Sequence, residues 1–169
     1  METHVSQAST VTYELIEVGD SLDAKIGVAR AEVLAKATTE SQRSVLTRIG
    51  EKIEFLGMGV KEDKEAILIA RNDDGTNVKA VAIMSVSRQP SGVWLINDLV
   101  SVKAGTGTPI VNRALDYMHS NPKGAMPVQT VALLSLDEDS TKFWMKFDFA
   151  LVNASSDMKA NRPMQKKLT

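Results

Sequence analysis

Between Ala66 and Leu136 the pattern of the chain changes once, and that change limits the folds open to it. Ala66 to Arg71 and Val78 to Val86 read as strands flanking Asn72-Asp-Asp-Gly75, whose Asp-Gly pair is a strong hairpin signal. Gln89-Pro-Ser-Gly92 is a second turn, and Val93 to Val102 a third strand, so this stretch reads as an antiparallel meander. A helix follows instead of another hairpin. Thr108 is expected as its N-cap, Pro109 stands in the favoured first turn, and Ile110, Val111, Ala114, Leu115 and Met118 form its stripe. Val128 to Leu136 is again an apolar strand. A strand, helix and strand in one sheet make a parallel, right-handed crossover. A meander joined to a crossover requires a mixed sheet.

The flanks complete the order. Val11 to Val18 reads as a strand, with Val11, Tyr13 and Leu15 on one face and Ile16 and Val18 on the other. Gly19 and Asp20 break it. Ser21 is the expected cap of a helix carrying Leu22, Ile26, Ala29, Val33 and Ala37. Thr39 and Gln42 have capping-box spacing before a second helix with stripe Val45, Leu46, Ile49, Ile53 and Leu56, which Gly57 should stop. Asp139 to Phe147 is a short helix and Phe149 to Val152 a last strand. The fold class is therefore α/β (α+β), a mixed, mostly antiparallel sheet with flanking helices in the order β-α-α-β-β-β-α-β-α-β. Residues 1–10 are expected as a flexible N-terminus, 11–155 as one domain, and 156–169 as a polar tail whose Lys159, Arg162, Lys166 and Lys167 form a solvated end.

Several chemistries are excluded by what the chain lacks. It has no cysteine, so thiol nucleophiles, disulfides and thiolate metal sites are out. With only His4 and His119, no metal site is expected, and His119 reads as a surface residue at a helix end. A net charge of −1 without a basic stripe speaks against a nucleic-acid partner. The longest apolar stretches, such as Ala80 to Met84, are strand-sized, and Met1 to Thr10 has no apolar leader core. A soluble, cytoplasmic protein with no membrane partner is the expectation.

The chemistry should lie where the meander meets the crossover. Strand, glycine-bearing loop and capped helix run through Asp98-Leu-Val-Ser-Val-Lys-Ala-Gly105-Thr-Gly107-Thr-Pro109. Such a junction aims backbone N–H groups and a positive helix end at one point, which suits a pyrophosphate. Glycine at 105 and 107 lets the backbone approach it closely. A P-loop would need a lysine and a more distant glycine, and a Rossmann fingerprint a small residue where Ile110 stands. A tight turn without a ligand stays open on these residues alone.

At this point the chain resembles the GNAT N-acetyltransferase superfamily. The element order agrees across residues 11 to 153, and Val102-Lys-Ala-Gly105-Thr-Gly107 is similar to that family's acyl-CoA loop, Gln/Arg-x-x-Gly-x-Gly/Ala, with valine at the first place. A second segment, Asp137-Glu-Asp-Ser140-Thr-Lys-Phe143-Trp144-Met-Lys146-Phe-Asp148-Phe149, is similar to Asn-x-x-Ala-x-x-Phe-Tyr-x-Lys-x-Gly-Phe. It keeps the aromatic pair, the lysine and the last phenylalanine. Trp144 replaces the tyrosine and Asp148 the glycine.

The resemblance implies an enzyme that moves an acetyl group from acetyl-CoA to a primary amine of a small molecule or protein. It implies that the main chain of Leu99, Val100 and Ser101 holds the pantetheine arm. Lys103, Ala104, Gly105, Thr106, Gly107, Thr108 and Pro109 would take the pyrophosphate, and Phe143 and Trp144 would line the thioester end. Asp98, the acid of an otherwise apolar strand, becomes the candidate base, with Asn97 as an alternative that orients a water. The tyrosine that often serves as acid is absent, so Ser135 or Ser140, or a water, is the candidate donor. Met58 and its neighbours, with Asn153 onward, are where an acceptor wall is expected. A non-catalytic acyl-CoA sensor or protein-interaction domain of the same fold is the alternative, and a homodimer stays open.

Overall fold

The computed structural model describes residues 10–18, 24–56, 64–124, 129–152 and 162–168. The expected break at Gly19 and Asp20, the cap at Ser21, the stop at Gly57, the wall around Met58 and the segment after Asn153 lie outside those residues, as do the side chains of Ile53 and Leu56.

The meander forms as the turns dictate. Strands β1 (Thr10–Glu17), β2 (Lys64–Asp73), β3 (Val78–Arg88) and β4 (Trp94–Ser101) pair antiparallel in sequence order. At the first hairpin the Asp74 carboxylate accepts from the N–H and hydroxyl of Thr76 and from the Asn77 N–H. These bonds hold its carboxyl down at about 2. Helices α1 (Ala24–Lys36) and α2 (Glu40–Leu56) precede β2. The capping box is in place: Thr39 Oγ1 accepts from the Gln42 N–H at 3.1 Å, and Gln42 Oε1 accepts from the N–H groups of Thr38 and Thr39.

Beyond β4 come α3 (Gly107–His119), β5 (Gln129–Ser135), α4 (Glu138–Met145), β6 (Ala150–Leu151) and β7 (Arg162–Leu168). The expected parallel crossover is present, since β4 and β5 pair parallel. The sheet has the order β1-β2-β3-β4-β5-β7-β6. Period-two alternation sends its side chains to two cores. Ile67, Ile69, Ile83 and Val100 meet Ile26, Ala29 and Val33 of α1 and Val45, Leu46 and Ile49 of α2. Ala66, Leu68, Met84, Trp94 and Ile96 face the opposite way, onto α3 and the aromatic residues of α4. Tyr117 of α3 donates to Glu17 of β1 at 2.9 Å, and burial with that bond pushes the phenol up from its ordinary value.

Two expectations are corrected. Helix α3 begins at Gly107 with Thr106 at its cap position, not at Thr108, because the left-handed turn at Gly105 starts the coil earlier. Pro109 thus falls at the third helical place, where a missing N–H still costs no intrahelical bond. The polar tail is the larger correction. Arg162–Leu168 is a strand inserted between β5 and β6, with Met164 fully buried and Leu168 nearly so. Its polar composition hides this, since only those two side chains enter the core.

Asp148, where the resembling segment has glycine, has φ of 66° just after α4. That left-handed stop suits glycine, and among other residues aspartate tolerates it comparatively well. Replacing Asp148 with glycine should therefore raise the unfolding free energy by about 0.5–1 kcal/mol in urea denaturation. Met164→Ala should lower it by about 2–5 kcal/mol. The exposed neighbour Gln165→Ala should change it by less than about 0.5 kcal/mol.

Candidate active site

β4 and β5 pair only at Trp94↔Val131 and Leu95↔Ala132, although β4 continues to Ser101 and β5 to Ser135. The two strands part from that point on. The parting coincides with a bulge in β4, where Ser85 pairs with Asp98 and Val86 with Ile96, leaving Asn97 as the extra residue. The Asn97 amide donates to the buried Ser87 hydroxyl at 3.0 Å, which pins the bulge to β3.

The Val102 N–H donates to the Val81 carbonyl at 2.8 Å, and this sets the phase of the ladder. Antiparallel strands alternate, so the main chain of Val100 turns toward β3 while that of Leu99 and Ser101 turns toward the opening. Of Leu99, Val100 and Ser101, the first and third thus face the opening with their main chain, and Val100 does not. The Ser101 carbonyl already accepts from Gln42 Nε2 at 3.3 Å, which ties the start of α2 to the rim of the opening.

A cavity of about 520 Å³ lies at the wide end, lined by Leu99 to Gly105, Gly107, the start of α2, Lys36, Thr38 and Phe143. Its lining holds two lysines, Lys36 and Lys103, and no carboxylate among the described residues. The Ser101 and Thr106 hydroxyls contact each other and both lie within hydrogen-bond distance of the Lys103 carbonyl, so that their two protons serve three contacts. That network folds the loop back on itself and leaves the amides of Gly105, Gly107 and Thr108 without a protein acceptor among the described residues. The two glycines differ in purpose. Gly105 has φ of +83°, whereas a side chain on Gly107 would lie 3.5 Å from the Phe143 ring. Thr108 and Pro109 stand in the first turn beyond.

A second cavity of about 310 Å³ shares Val45, Leu99, Leu136, Ser140 and Phe143 with the first. It is otherwise lined by Arg48, Ile96 to Asp98, Leu133, Leu134, Asp139 and Trp144. Asp98 is here, with a side chain only 8% exposed, and its Oδ1 accepts from Arg48 Nη2 at 3.3 Å. No signal in the sequence marks Arg48. It lies one helical turn past Val45 on α2, and only the folded sheet brings it to Asp98. Phe143 and Trp144 stack edge to face at the junction of the cavities.

Ser135 is not brought to the site. It is fully buried, contacts the Thr141 hydroxyl at 2.7 Å and the Arg162 carbonyl, and lines neither cavity. The β7 strand, unseen in the sequence, supplies that carbonyl. Ser140 lines both cavities.

No family model matches the chain, and no curated protein matches it in sequence. Solved structures do. An acetyltransferase from Thermus thermophilus superposes with a TM-score of 0.58 at 10% identity, over 93% of this chain and 97% of that one. An acyl-CoA N-acyltransferase from Pseudomonas aeruginosa gives 0.57 at 13% identity, over 94% and 100%. An acetyltransferase of the GNAT family from Staphylococcus aureus gives 0.53 at 12% identity, over 94% and 100%. The likeness is one of fold: this chain has the GNAT acetyltransferase fold from β1 to β7.

The unequal glycines can be told apart. Gly105→Ala must hold a left-handed backbone and should lose about 1–2 kcal/mol of stability. Gly107→Ala places a methyl at ordinary contact distance in a helical turn, and should be neutral or slightly stabilising in the same denaturation experiment.

Proposed function

We propose that the chain is an N-acetyltransferase that binds acetyl-CoA in the parted sheet and transfers the acetyl group to a primary amine by direct attack. The observation that carries this is the adjacency of two unlike cavities at the opening, with shared walls: one lysine-flanked and rimmed by amides that have no acceptor among the described residues, the other holding a nearly buried carboxylate beside leucine and aromatic side chains. Both the loop and the strand support the fit to a CoA thioester. The free amides near Gly105 and Gly107, with Lys36 and Lys103, match a pyrophosphate. The outward main chain of Leu99 and Ser101 matches an amide-bearing arm lying along β4 like an added strand. Bound there, acetyl-CoA supplies a thioester carbonyl as the electrophile.

The chain's own residues then have three tasks. Phe143 and Trp144 exclude water at the junction. Asp98 accepts a proton from the acceptor ammonium, because only the uncharged amine is nucleophilic and a free amine of pKa about 10.4 is almost wholly protonated at pH 7. The Ser140 hydroxyl, which borders both cavities, would hydrogen-bond the departing thiolate, and the second proton shed by the amine nitrogen on attack is the one the thiolate takes up. Ser135 takes no part in this reading, since its hydroxyl is sealed away. Positioning supplies much of the rate whichever group donates.

The second reading, a sensor that binds acyl-CoA without turnover, draws on Trp144, whose indole is no acid at neutral pH. A thiol-release assay separates the two. Coenzyme A should bind by calorimetry, and acetyl-CoA with an amine panel should release free thiol. Asp98→Asn should cut kcat/KM by about 100-fold and leave coenzyme A affinity within about two-fold, since Asp98 lines the other cavity. Binding with no thiol released from any amine selects the sensor; no binding removes both readings.

A further inference from the structure

The acceptor cavity contains a feature that a bare amine does not need. Arg48 lines it with a half-exposed side chain and, among the described residues, reaches Asp98 through Nη2 at 3.3 Å. A guanidinium has five N–H donors in a planar fork and prefers to grip a carboxylate with two of them. The 3.3 Å contact to Asp98 uses one of those five donors. The nearly buried Asp98 carboxylate is the complementary half, an acceptor with no donors of its own.

Two opposite charges held side by side form a receptor for two opposite charges held side by side. An α-amino acid has its ammonium and carboxylate on one carbon, matching the spacing of the Arg48–Asp98 pair. From the structure we infer that the acceptor is a free apolar α-amino acid, its carboxylate on Arg48, its amine against Asp98, and its side chain along Leu133, Leu134 and Leu136. This rests on the acyltransfer reading above and narrows its acceptor.

The remaining charge supports the choice of side chain. Among the described residues, Asp139 on the first turn of α4 is the other charged group in the lining, and the rest of that lining is apolar apart from Asn97 and Ser140. A second carboxylate on the acceptor would face Asp139, and a long apolar side chain would not. Acidic amino acids are therefore disfavoured. Peptides are disfavoured as well, since an N-terminal residue in a chain has no carboxylate to offer Arg48.

The test compares L-leucine with 3-methylbutylamine, which is leucine without its carboxylate, and with leucinamide, which keeps the shape but loses the charge. In a thiol-release assay with acetyl-CoA the wild-type chain should favour leucine over 3-methylbutylamine by about ten-fold or more in kcat/KM. Arg48→Met should collapse that ratio toward one, with its melting temperature recorded to confirm folding. Arg48→Lys, which keeps charge without the fork, should give an intermediate ratio. Calorimetry of leucine into the protein with coenzyme A present gives a readout free of turnover, and Arg48→Met should weaken that binding by about ten-fold or more. Equal or better use of 3-methylbutylamine and leucinamide overturns the inference while the acyltransfer reading stands. Coenzyme A uptake without any leucine binding overturns it too. Absence of coenzyme A uptake removes the parent reading itself.

Discussion

The site depends on one interruption of hydrogen bonding. Two parallel strands that could have paired along their length do so at two positions and then separate. The separation has a local cause on the β4 side: Asn97 is an extra residue relative to β3, and its amide is fastened to the Ser87 hydroxyl. A bulge of this kind bends its strand and redirects side chains. Here it brings Asp98 toward α2 and Arg48, and it frees the outer main chain of Leu99 and Ser101. An unpaired strand edge inside a sheet exposes polar groups that want partners. In this fold the Gln42 amide satisfies one of them, and the others line a cleft wide enough for a ligand.

The charge pattern along that cleft follows from which elements contribute to it. The wide end is built from the ends of α1 and α3 and the glycine loop, so it gathers lysines and helix N–H groups. The narrow end is built from the bulge, the middle of α2 and the start of α4, so it gathers Asp98, Arg48 and Asp139. Phe143 belongs to both walls, which makes the aromatic pair a partition as well as a lining. The lysine-bearing wall and the carboxylate-bearing wall thereby lie on either side of that pair.

Much of this was legible in the sequence, because local signals carried it. Asp-Gly, the capping box of Thr39 and Gln42, and the stripe from Ile110 to Met118 each state their structure within a few residues, and the folded chain agrees. The glycine loop was legible for the same reason. The partnership of Arg48 with Asp98 was not, since fifty positions separate them and arginine on a helix ordinarily reads as a solvated face. The sequence points to a later start of α3 because Thr108-Pro109 has the look of a cap, while the conformation of Gly105, which decides the matter, leaves no trace in composition. Ser135 reads as a candidate donor in the sequence because nothing local signals the further strand whose Arg162 carbonyl closes over it.

That further strand has a bearing on how the chain is made. β7 is the last of the described elements to be synthesised, yet it occupies an interior place between β5 and β6. A nascent chain that has reached Leu151 holds β5 with one edge open and β6 with no neighbour. The aromatic residues of α4 and the strand end at Phe149 then lack the cover that Met164 and Leu168 later provide. The amino-terminal half can assemble on the ribosome from nearby contacts. The half that carries α4 and β5 gains its cover only once residues 162–168 emerge, and until then its apolar side chains are the more exposed part of the nascent chain.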